Sequence, residues 1–357
     1  MKSYTNVEVR TMRNQKPPFE ITNSILDKVA QIAELIGQVN ATAEMPVNPT
    51  LRRTNRIRTI YSSLAIEQNT LSLEQVTAVL EGKRVLAPPK DIAEVKNAYE
   101  IYEMMDQLDP YSVEHLLDAH GVMTKGLIQE SGCFRSGPVG VVDKQGNILH
   151  FGTLPDYVPG LVGELLEWVK TSDYHPLIKS CVFHYELELI HPFSDGNGRI
   201  GRLWHTLLLS RWKPIFAWLP VESIIHDHQQ EYYEAINRSN AECESTAFIE
   251  FMLSAIREAL LEATHSTGKK NTEQTRTEAI ERFLEKNQTI TNADVRDLLG
   301  VSAATANRIL AKLTEQGCLQ KIRIGRSWAT SGELQILPQI PRRRRVSIPR
   351  EIEHRDR

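Results

Sequence analysis

The region from His191 to Arg202 combines residue types that can bind a phosphate compound and activate a hydroxyl group. Histidine has a pKa near neutrality, so His191 can accept a proton from an attacking hydroxyl. Gly196 and Gly198 allow the backbone to wrap closely around a ligand. Arg199 and Arg202 stand three residues apart, where two guanidinium groups can reach the same anion. These residues predict a general base beside a polyphosphate site.

Asp195 lies inside the same stretch, and its carboxylate would repel a bare anion. One carboxylate together with phosphate oxygens is, however, a usual way to hold Mg²⁺. The sequence therefore favours a nucleotide with its metal over a sulfate or a carboxylate ligand.

Two predicted helices position this stretch. Residues 176–190 carry apolar side chains at helical spacing, which predicts a buried helix with one apolar face. Pro192 ends that helix at His191, because proline disfavours helical geometry in the residue before it. A second amphipathic helix is predicted from Arg199 to Arg211. Its first amides lack partners inside the helix, which makes this end an anion site.

The stretch HPFSDGNGRIGR matches HPFx(D/E)GNGRxxR, the signature of the Fic family, at every defining position. The resemblance implies a protein adenylyltransferase with ATP as substrate and Mg²⁺ as cofactor. It implies His191 as general base, Asp195 as metal ligand and Phe193 as a packing residue. Phosphate binding is implied for Gly196, Asn197, Gly198, Arg199 and Arg202. The family's Doc branch, which transfers phosphate, departs at the second glycine, so Gly198 favours AMP transfer.

A second match lies upstream, at residues 61–69, in YSSLAIEQN. It resembles the inhibitory helix pattern (S/T)xxxE(G/N) of the same family, with Ser63 and Glu67 in the matching places. The resemblance implies that Glu67 pairs with Arg202 and occupies the place of the γ-phosphate. Gln68 departs from the pattern, where glycine or asparagine is usual.

Residues 139–151 predict a β-hairpin, with two short apolar strands joined by a polar turn. The hairpin resembles the flap of the Fic family, whose exposed edge can pair with an extended target segment. The residues expected to dock a target protein are Val139, Val141, Ile148 and His150.

The C-terminal part of the chain predicts a separate, small domain. Residues 264–277 are polar and small, and are interpreted as a linker. After them, three short helices and a strand pair at 319–328 resemble a winged helix-turn-helix domain. The second of these helices is predicted to have its N-cap at Thr291 and Asn292 and to end at Gly300. From Asn271 onward there are 16 Lys and Arg against 11 Asp and Glu, although the whole chain has a net charge of -3. This asymmetry is compatible with DNA, although such domains also bind proteins or dimerise.

The expected fold class is mainly α: a Fic helical core with a β-hairpin flap, plus a small C-terminal winged helix domain. The expected divisions are an N-terminal helical region (1–110), a catalytic core (111–263), the winged helix domain (271–335) and a basic, disordered tail (336–357). With no apolar run of membrane-spanning length and four scattered cysteines, the expected location is the cytoplasm, with no membrane partner. A homodimer is compatible with the sequence.

Two classes of function remain open. The first is transfer of AMP from ATP to a Ser, Thr or Tyr hydroxyl of a target protein and of the enzyme itself, restrained by Glu67 at Arg202. The second is a DNA-binding transcriptional regulator whose Fic domain senses nucleotide. An enzyme that uses another nucleotide donor is a variant of the first class, because the signature contacts phosphates and not the base.

Overall fold

The computed structural model describes residues 16–41, 49–142, 148–151, 153–287, 289–315, 319–324 and 327–331. The chain divides into two compact units, Met1–Gly268 and Lys269–Arg357. The tail expected at 336–357 and the turn of the hairpin at 143–147 lie outside the described residues. The mainly α class with a small winged helix domain is confirmed.

The first unit is built from helices. They are α1 (Asn23–Ala41), α2 (Pro49–Ile66), α3 (Leu73–Leu80), α4 (Pro89–Met104), α5 (Val113–Met123), α6 (Val158–Thr171), α7 (Pro176–Ile190), α8 (Asn197–Trp212), α9 (Val221–Asp227), α10 (Gln229–Glu242) and the first part of α11 (Thr246–Lys286).

Helix α7 lies at the centre of this unit, between two clusters of buried apolar residues. Cys181 and Val182 pack into one cluster, with α1, α9, α10 and α11. Phe183 and Leu187 pack into the other, with α2 to α6 and most of α8. The predicted apolar face of α7 packs into the first cluster, and the structure adds that the opposite side of the helix is covered as well. A helix buried on all sides gives a fixed base for the loop that follows it.

The backbone forms the β-hairpin that the sequence predicts. Strand β1 (Gly140–Val142) pairs with β2 (Ile148–Phe151) in antiparallel register, with Gly140 opposite Phe151. The register shifts between Val141 and Val142, which marks a local irregularity of the ladder.

The second unit contains the end of α11, β3 (Thr289–Ile290), α12 (Asn292–Leu299), α13 (Ala303–Glu315), β4 (Gln320–Ile324) and β5 (Ser327–Ser331). The strands form one sheet in the order β3-β5-β4. Thr291 and Asp294 cap α12 reciprocally, and Gly300 ends it in a left-handed conformation, as the sequence predicts. Ile280, Val295 and Leu313 belong to the small core of this unit.

Residues 264–277, interpreted as a linker, contain the boundary between the two units, but they are not an irregular segment. They are helical, because α11 continues through them from Thr246 to Lys286. The division between the two units falls within this helix, after Gly268. Among the described residues, no helix is long and apolar enough to cross a membrane.

The end of α2 explains why Gln68 is unusual in the inhibitory pattern. Gln68 is exposed and has a φ of 66°, in the left-handed region. Its N–H donates to the carbonyl of Ala65, and Asn69 N–H donates to that of Leu64, which closes the helix end. Glycine and asparagine adopt this conformation at low cost, whereas other side chains are strained by their β-carbon. The chain thus keeps the turn while carrying a less suitable residue.

We expect Gln68→Gly to raise the free energy of unfolding of the first unit by about 1 kcal/mol, because the strain of the β-carbon is removed. Gln68→Ala is the matched control: it shortens the side chain but keeps the β-carbon, so it should give no gain. Urea unfolding of the full chain measures both. A glycine variant no more stable than the alanine variant would contradict the strain.

Candidate active site

His191 sits on a sharp turn at the end of α7. Its backbone is left-handed, with φ 52° and ψ 63°, and its N–H still donates to the carbonyl of Leu187 at 2.9 Å. Pro192 follows and prevents the helix from continuing. The imidazole is 22% exposed, so it is accessible from solvent while its backbone is fixed.

Arg135 holds this turn, and sequence reasoning did not identify it. Its Nε donates to the carbonyl of His191 at 2.7 Å, and its backbone N–H donates to that of Pro192 at 3.0 Å. The same guanidinium donates to the carbonyls of Gly137 and Thr153, on either side of the hairpin. Arg135 is 2% exposed. One buried cation therefore joins the histidine turn to the base of the flap.

The loop between the two helices is braced from inside by Asn197. Its side-chain amide donates to the carbonyl of Phe193, and its side-chain oxygen accepts from the N–H of Phe193, both at 2.9 Å. Phe193 is fully buried and stacks on the ring of His120, with centroids 3.8 Å apart. The side chain of Asn197 therefore stabilises the loop, and its backbone N–H can bind an anion.

His120, on α5, supports the same loop and was also missed. Its Nδ1 accepts from the N–H of Gly132 at 3.1 Å, so Nε2 carries the proton and donates to the carbonyl of Asp195 at 3.0 Å. Burial lowers the pKa of His120 and keeps the ring neutral in this role. Its position on an ordinary amphipathic helix carries no sequence signal.

The N-terminus of α8 is open toward the loop. Gly196 has a φ of 92° and precedes the helix, and among the described residues no side chain caps it. The first helical bond is made by Ile200 N–H to the Gly196 carbonyl. A β-carbon at Gly196 would lie 3.1 Å from Thr124 Cγ2, so the backbone needs a glycine here for space as well as for φ. The helix amides before that of Ile200 have no partner inside the helix, so they can bind an anion.

Arg199 is paired with two carboxylates. Its Nη2 lies 2.8 Å from Asp195 Oδ1, and its Nη1 lies 3.4 Å from Glu94 Oε1 on α4. Asn69, just beyond α2, donates to the other oxygen of Glu94 at 2.8 Å. Burial opposes ionisation of Asp195, but Arg199 outweighs it and lowers the pKa of that carboxyl. Glu94 was not predicted, because a single glutamate on a helix carries no pattern.

Arg202 is paired with residues at the end of α2. Its Nη2 lies 2.7 Å from Glu67 Oε1 and donates to the Ser63 carbonyl at 2.9 Å, while its Nε donates to Ser63 Oγ at 3.1 Å. The guanidinium is 1% exposed. Burial disfavours its charge, but the Glu67 carboxylate outweighs burial and raises the pKa of Arg202. A β-carbon at Gly198 would collide with Glu67 Oε1, so Gly198 is also what lets this pair form.

The structure thus brings together the residues expected on α8, its preceding loop and α2. Of the docking residues expected on the flap, Val139 is half-buried, and the side chains of Val141, Ile148 and His150 lie outside those described. His184 and His205 are buried, and across the described part of the chain no three metal-ligating side chains gather at one point.

Comparisons with known proteins agree with this geometry. A model of the Fic/DOC family matches residues 110–209, and a model of winged helix-turn-helix DNA-binding domains matches residues 278–320. A protein adenylyltransferase Fic of Nematostella vectensis is 26% identical over 62% of this chain and 51% of its own length. The protein adenylyltransferase fic-1 of Caenorhabditis elegans is 31% identical over 51% of this chain and 36% of its own. The chain therefore spans about half, or less, of the length of these relatives.

Solved structures extend the likeness over most of the chain. The crystal structure of a Fic family protein from Desulfovibrio desulfuricans G20 is 40% identical, with a TM-score of 0.70, over 90% of this chain and 100% of its own. A Fic domain containing signaling protein from Bacteroides thetaiotaomicron VPI-5482 is 22% identical with a TM-score of 0.57, over 67% and 97% of the two chains, which shows the shared fold. The signature loop, its supporting contacts and this coverage together establish that the chain belongs to the Fic family.

Proposed function

We propose that the chain is a protein adenylyltransferase that transfers AMP from ATP to a hydroxyl of a target protein. The observation that carries this proposal is the placement of His191 beside an open helix N-terminus whose first two turns hold Arg199 and Arg202. A nucleotide sensor would need the phosphate site but no base. The adenylyltransferases of Nematostella vectensis and Caenorhabditis elegans support the same assignment.

The orientation of His191 suits proton transfer. Its Nδ1 lies 3.3 Å from the carbonyl oxygen of Glu188, an acceptor, so Nδ1 carries the proton of the neutral ring and Nε2 is the basic nitrogen. Nε2 takes the proton of the target hydroxyl as its oxygen bonds to the α-phosphorus. The bond from that phosphorus to the β-phosphate oxygen breaks, and pyrophosphate leaves. The amides at the start of α8 stabilise the developing charge.

Asp195 fits a role as metal ligand. Its carboxylate is 45% exposed, and its pKa is held low, so it is ionised and reachable from the nucleotide site. Mg²⁺ there would neutralise charge on the phosphate oxygens. Coordination of a cation by the Asp195 carboxylate requires its ion pair with Arg199 to weaken. The Arg199 guanidinium is then free to bind the β- and γ-phosphates.

We further propose that Glu67 restrains the enzyme. Glu67 occupies Arg202 with a carboxylate, and a γ-phosphate would compete for the same guanidinium. ATP bound under this competition has its α-phosphate misaligned for in-line attack. Glu67 is 36% exposed, whereas Arg202 is 1% exposed, so movement of Glu67 is the easier way to break the pair.

The flap is the proposed docking edge for the target. Strand β1 pairs only with β2 among the described strands, so its other edge can add an extended segment of a target protein. Arg135 anchors this hairpin to the His191 turn, which would set the distance between a docked hydroxyl and the base.

We expect His191→Ala to lower AMP transfer by about 10² to 10⁴ fold with ATP affinity nearly unchanged, because the lost step is proton removal. Incorporation of labelled AMP into proteins of a cell lysate measures the rate, and calorimetry measures ATP binding. His115→Ala, which removes an imidazole on α5 outside the loop, is the control. Undiminished labelling by His191→Ala would refute the assignment of the base.

Glu67→Gly should raise AMP transfer, including self-modification, by at least about tenfold, because Arg202 becomes available to the γ-phosphate. Arg202→Ala should be slow in either background, so the two changes must be non-additive in a double-mutant cycle. Labelled AMP incorporation with Mg²⁺ present measures all four proteins. Equal rates for the natural protein and Glu67→Gly would show that this pair does not inhibit.

A second candidate function, DNA binding, is supported by the winged helix unit. The match to winged helix-turn-helix DNA-binding domains covers α12 and α13. Helix α13 exposes Arg308 and Lys312 one turn apart, and the small residues Ala304 and Ala311 share that exposed face. A helix with cations and small residues on one exposed face is suited to approach a phosphate backbone.

We expect the full chain to bind duplex DNA with an affinity that falls steeply with salt, and Arg308→Gln to weaken binding and reduce the salt slope by about one. Arg238→Gln removes the same charge from α10 in the other unit and should change neither. Fluorescence anisotropy at several salt concentrations measures this. Absence of binding at low salt would move the unit to the protein-binding class.

A further inference from the structure

The side chain of Glu188, in the last turn of α7, has no role in the site as described so far. Its Oε2 lies 3.9 Å from Nδ1 of His191, and its side chain is 16% exposed. Its backbone carbonyl oxygen is 3.3 Å from the same nitrogen. One residue therefore presents two acceptors to the side of the imidazole that faces away from the basic Nε2.

The other carboxylate oxygen of Glu188 points toward α8. Among the described residues, no donor reaches Oε1. A β-carbon at Gly198 or at Gly201 would each lie 3.4 Å from this oxygen. The two glycines thus allow the first turn of α8 to approach α7 with the Glu188 carboxylate between them.

The charged and titratable groups that face Glu188 come from several elements. Glu67, just after α2, and Arg202 on α8 act on its charge, and Glu188 in turn acts on Tyr232 and Tyr233 on α10. Burial, and then Glu67, raise the pKa of Glu188 to about 7, while Arg202 opposes the rise. Glu188 therefore changes charge in the pH range in which His191 must act as a base.

We propose that Glu188 is a positioning residue for His191: it holds the proton on Nδ1 and stabilises the imidazolium that forms when Nε2 accepts the hydroxyl proton. This proposal rests on the proposed function, since it assigns the support of the same base. A carboxylate facing the proton-bearing nitrogen of an imidazole fixes the tautomer and the ring orientation, and it raises the basicity of the other nitrogen.

The direction of the effect follows from charge. The Glu188 carboxylate favours the protonated ring, so it raises the pKa of His191 wherever Glu188 is ionised. Glu188→Gln keeps the shape of the side chain and removes the charge, so the pKa of His191 should fall. The acid limb of the rate profile should then move to lower pH, and kcat should fall on the plateau, because the base is weaker.

The direct test is NMR titration of the histidine rings in the ¹⁵N-histidine-labelled full chain, with the His191 signal assigned by its loss in His191→Gln. In the natural protein, neutral His191 should show the Nδ1–H tautomer. In Glu188→Gln its pKa should be lower by about one unit. Glu186→Gln, which removes another buried carboxylate from the same helix, is the matched control and should leave the pKa unchanged. Observation of the Nε2–H tautomer in the natural protein would by itself overturn the proposal, whatever the Glu188 variants show.

Kinetics provide the second readout. Glu188→Gln should lower kcat for AMP transfer by roughly 3 to 10 fold with KM for ATP nearly unchanged, and it should shift the acid limb to lower pH. An equal His191 pKa in Glu188→Gln and in the natural protein would overturn the proposal. The titration needs no turnover, so it stands even if AMP transfer is not the reaction of this chain. A chain with no AMP transfer would instead refute the proposed function.

Discussion

The site depends on one constraint: a fully buried helix must end at His191 and the chain must reverse into α8. Pro192 stops α7, and the left-handed backbone of His191 makes the reversal. Such a conformation is costly for a residue with a β-carbon, so it persists only where its surroundings fix it. Arg135, Asn197 and His120 supply that fixation through hydrogen bonds to backbone carbonyls and amides. The turn at His191 is therefore held in place by contacts of its neighbours with the backbone.

Electrostatics in the site are arranged around two buried guanidinium groups. Arg199 is paired with Asp195 and Glu94, and Arg202 is paired with Glu67. Removing one partner of a buried pair costs about 3 to 5 kcal/mol, and less where the partner is partly exposed, as Glu67 is. A polyphosphate that replaces these carboxylates would keep both cations satisfied.

The site also requires its helices to approach one another closely. Gly198 makes room for Glu67, and Gly201 makes room for His184, whose ring carbon would lie 2.9 Å from an added β-carbon. The glycines of the signature therefore have a packing role in this chain, in addition to the conformational freedom that Gly196 needs. Helices α2, α7 and α8 meet where these side chains are absent.

The amino-acid sequence by itself determined the local features: the helices with strong apolar periodicity, the stop at Pro192, the hairpin, the cap of α12 at Thr291, and the residues from His191 to Arg202. These depend on residues close together in the chain, so spacing and residue type reveal them. The pairing of Glu67 with Arg202 was foreseen only because the segment resembles a known pattern.

Tertiary structure alone decided that α7 is buried on both sides, that residues 264–277 continue a helix, and that His120, Arg135, Glu94 and Glu188 surround the site. His120, Arg135 and Glu94 act through partners that folding brings near from distant parts of the chain, and residue spacing carries no sign of such partners. Glu188 lies one helix turn before His191, but only the structure shows its carboxylate facing the imidazole.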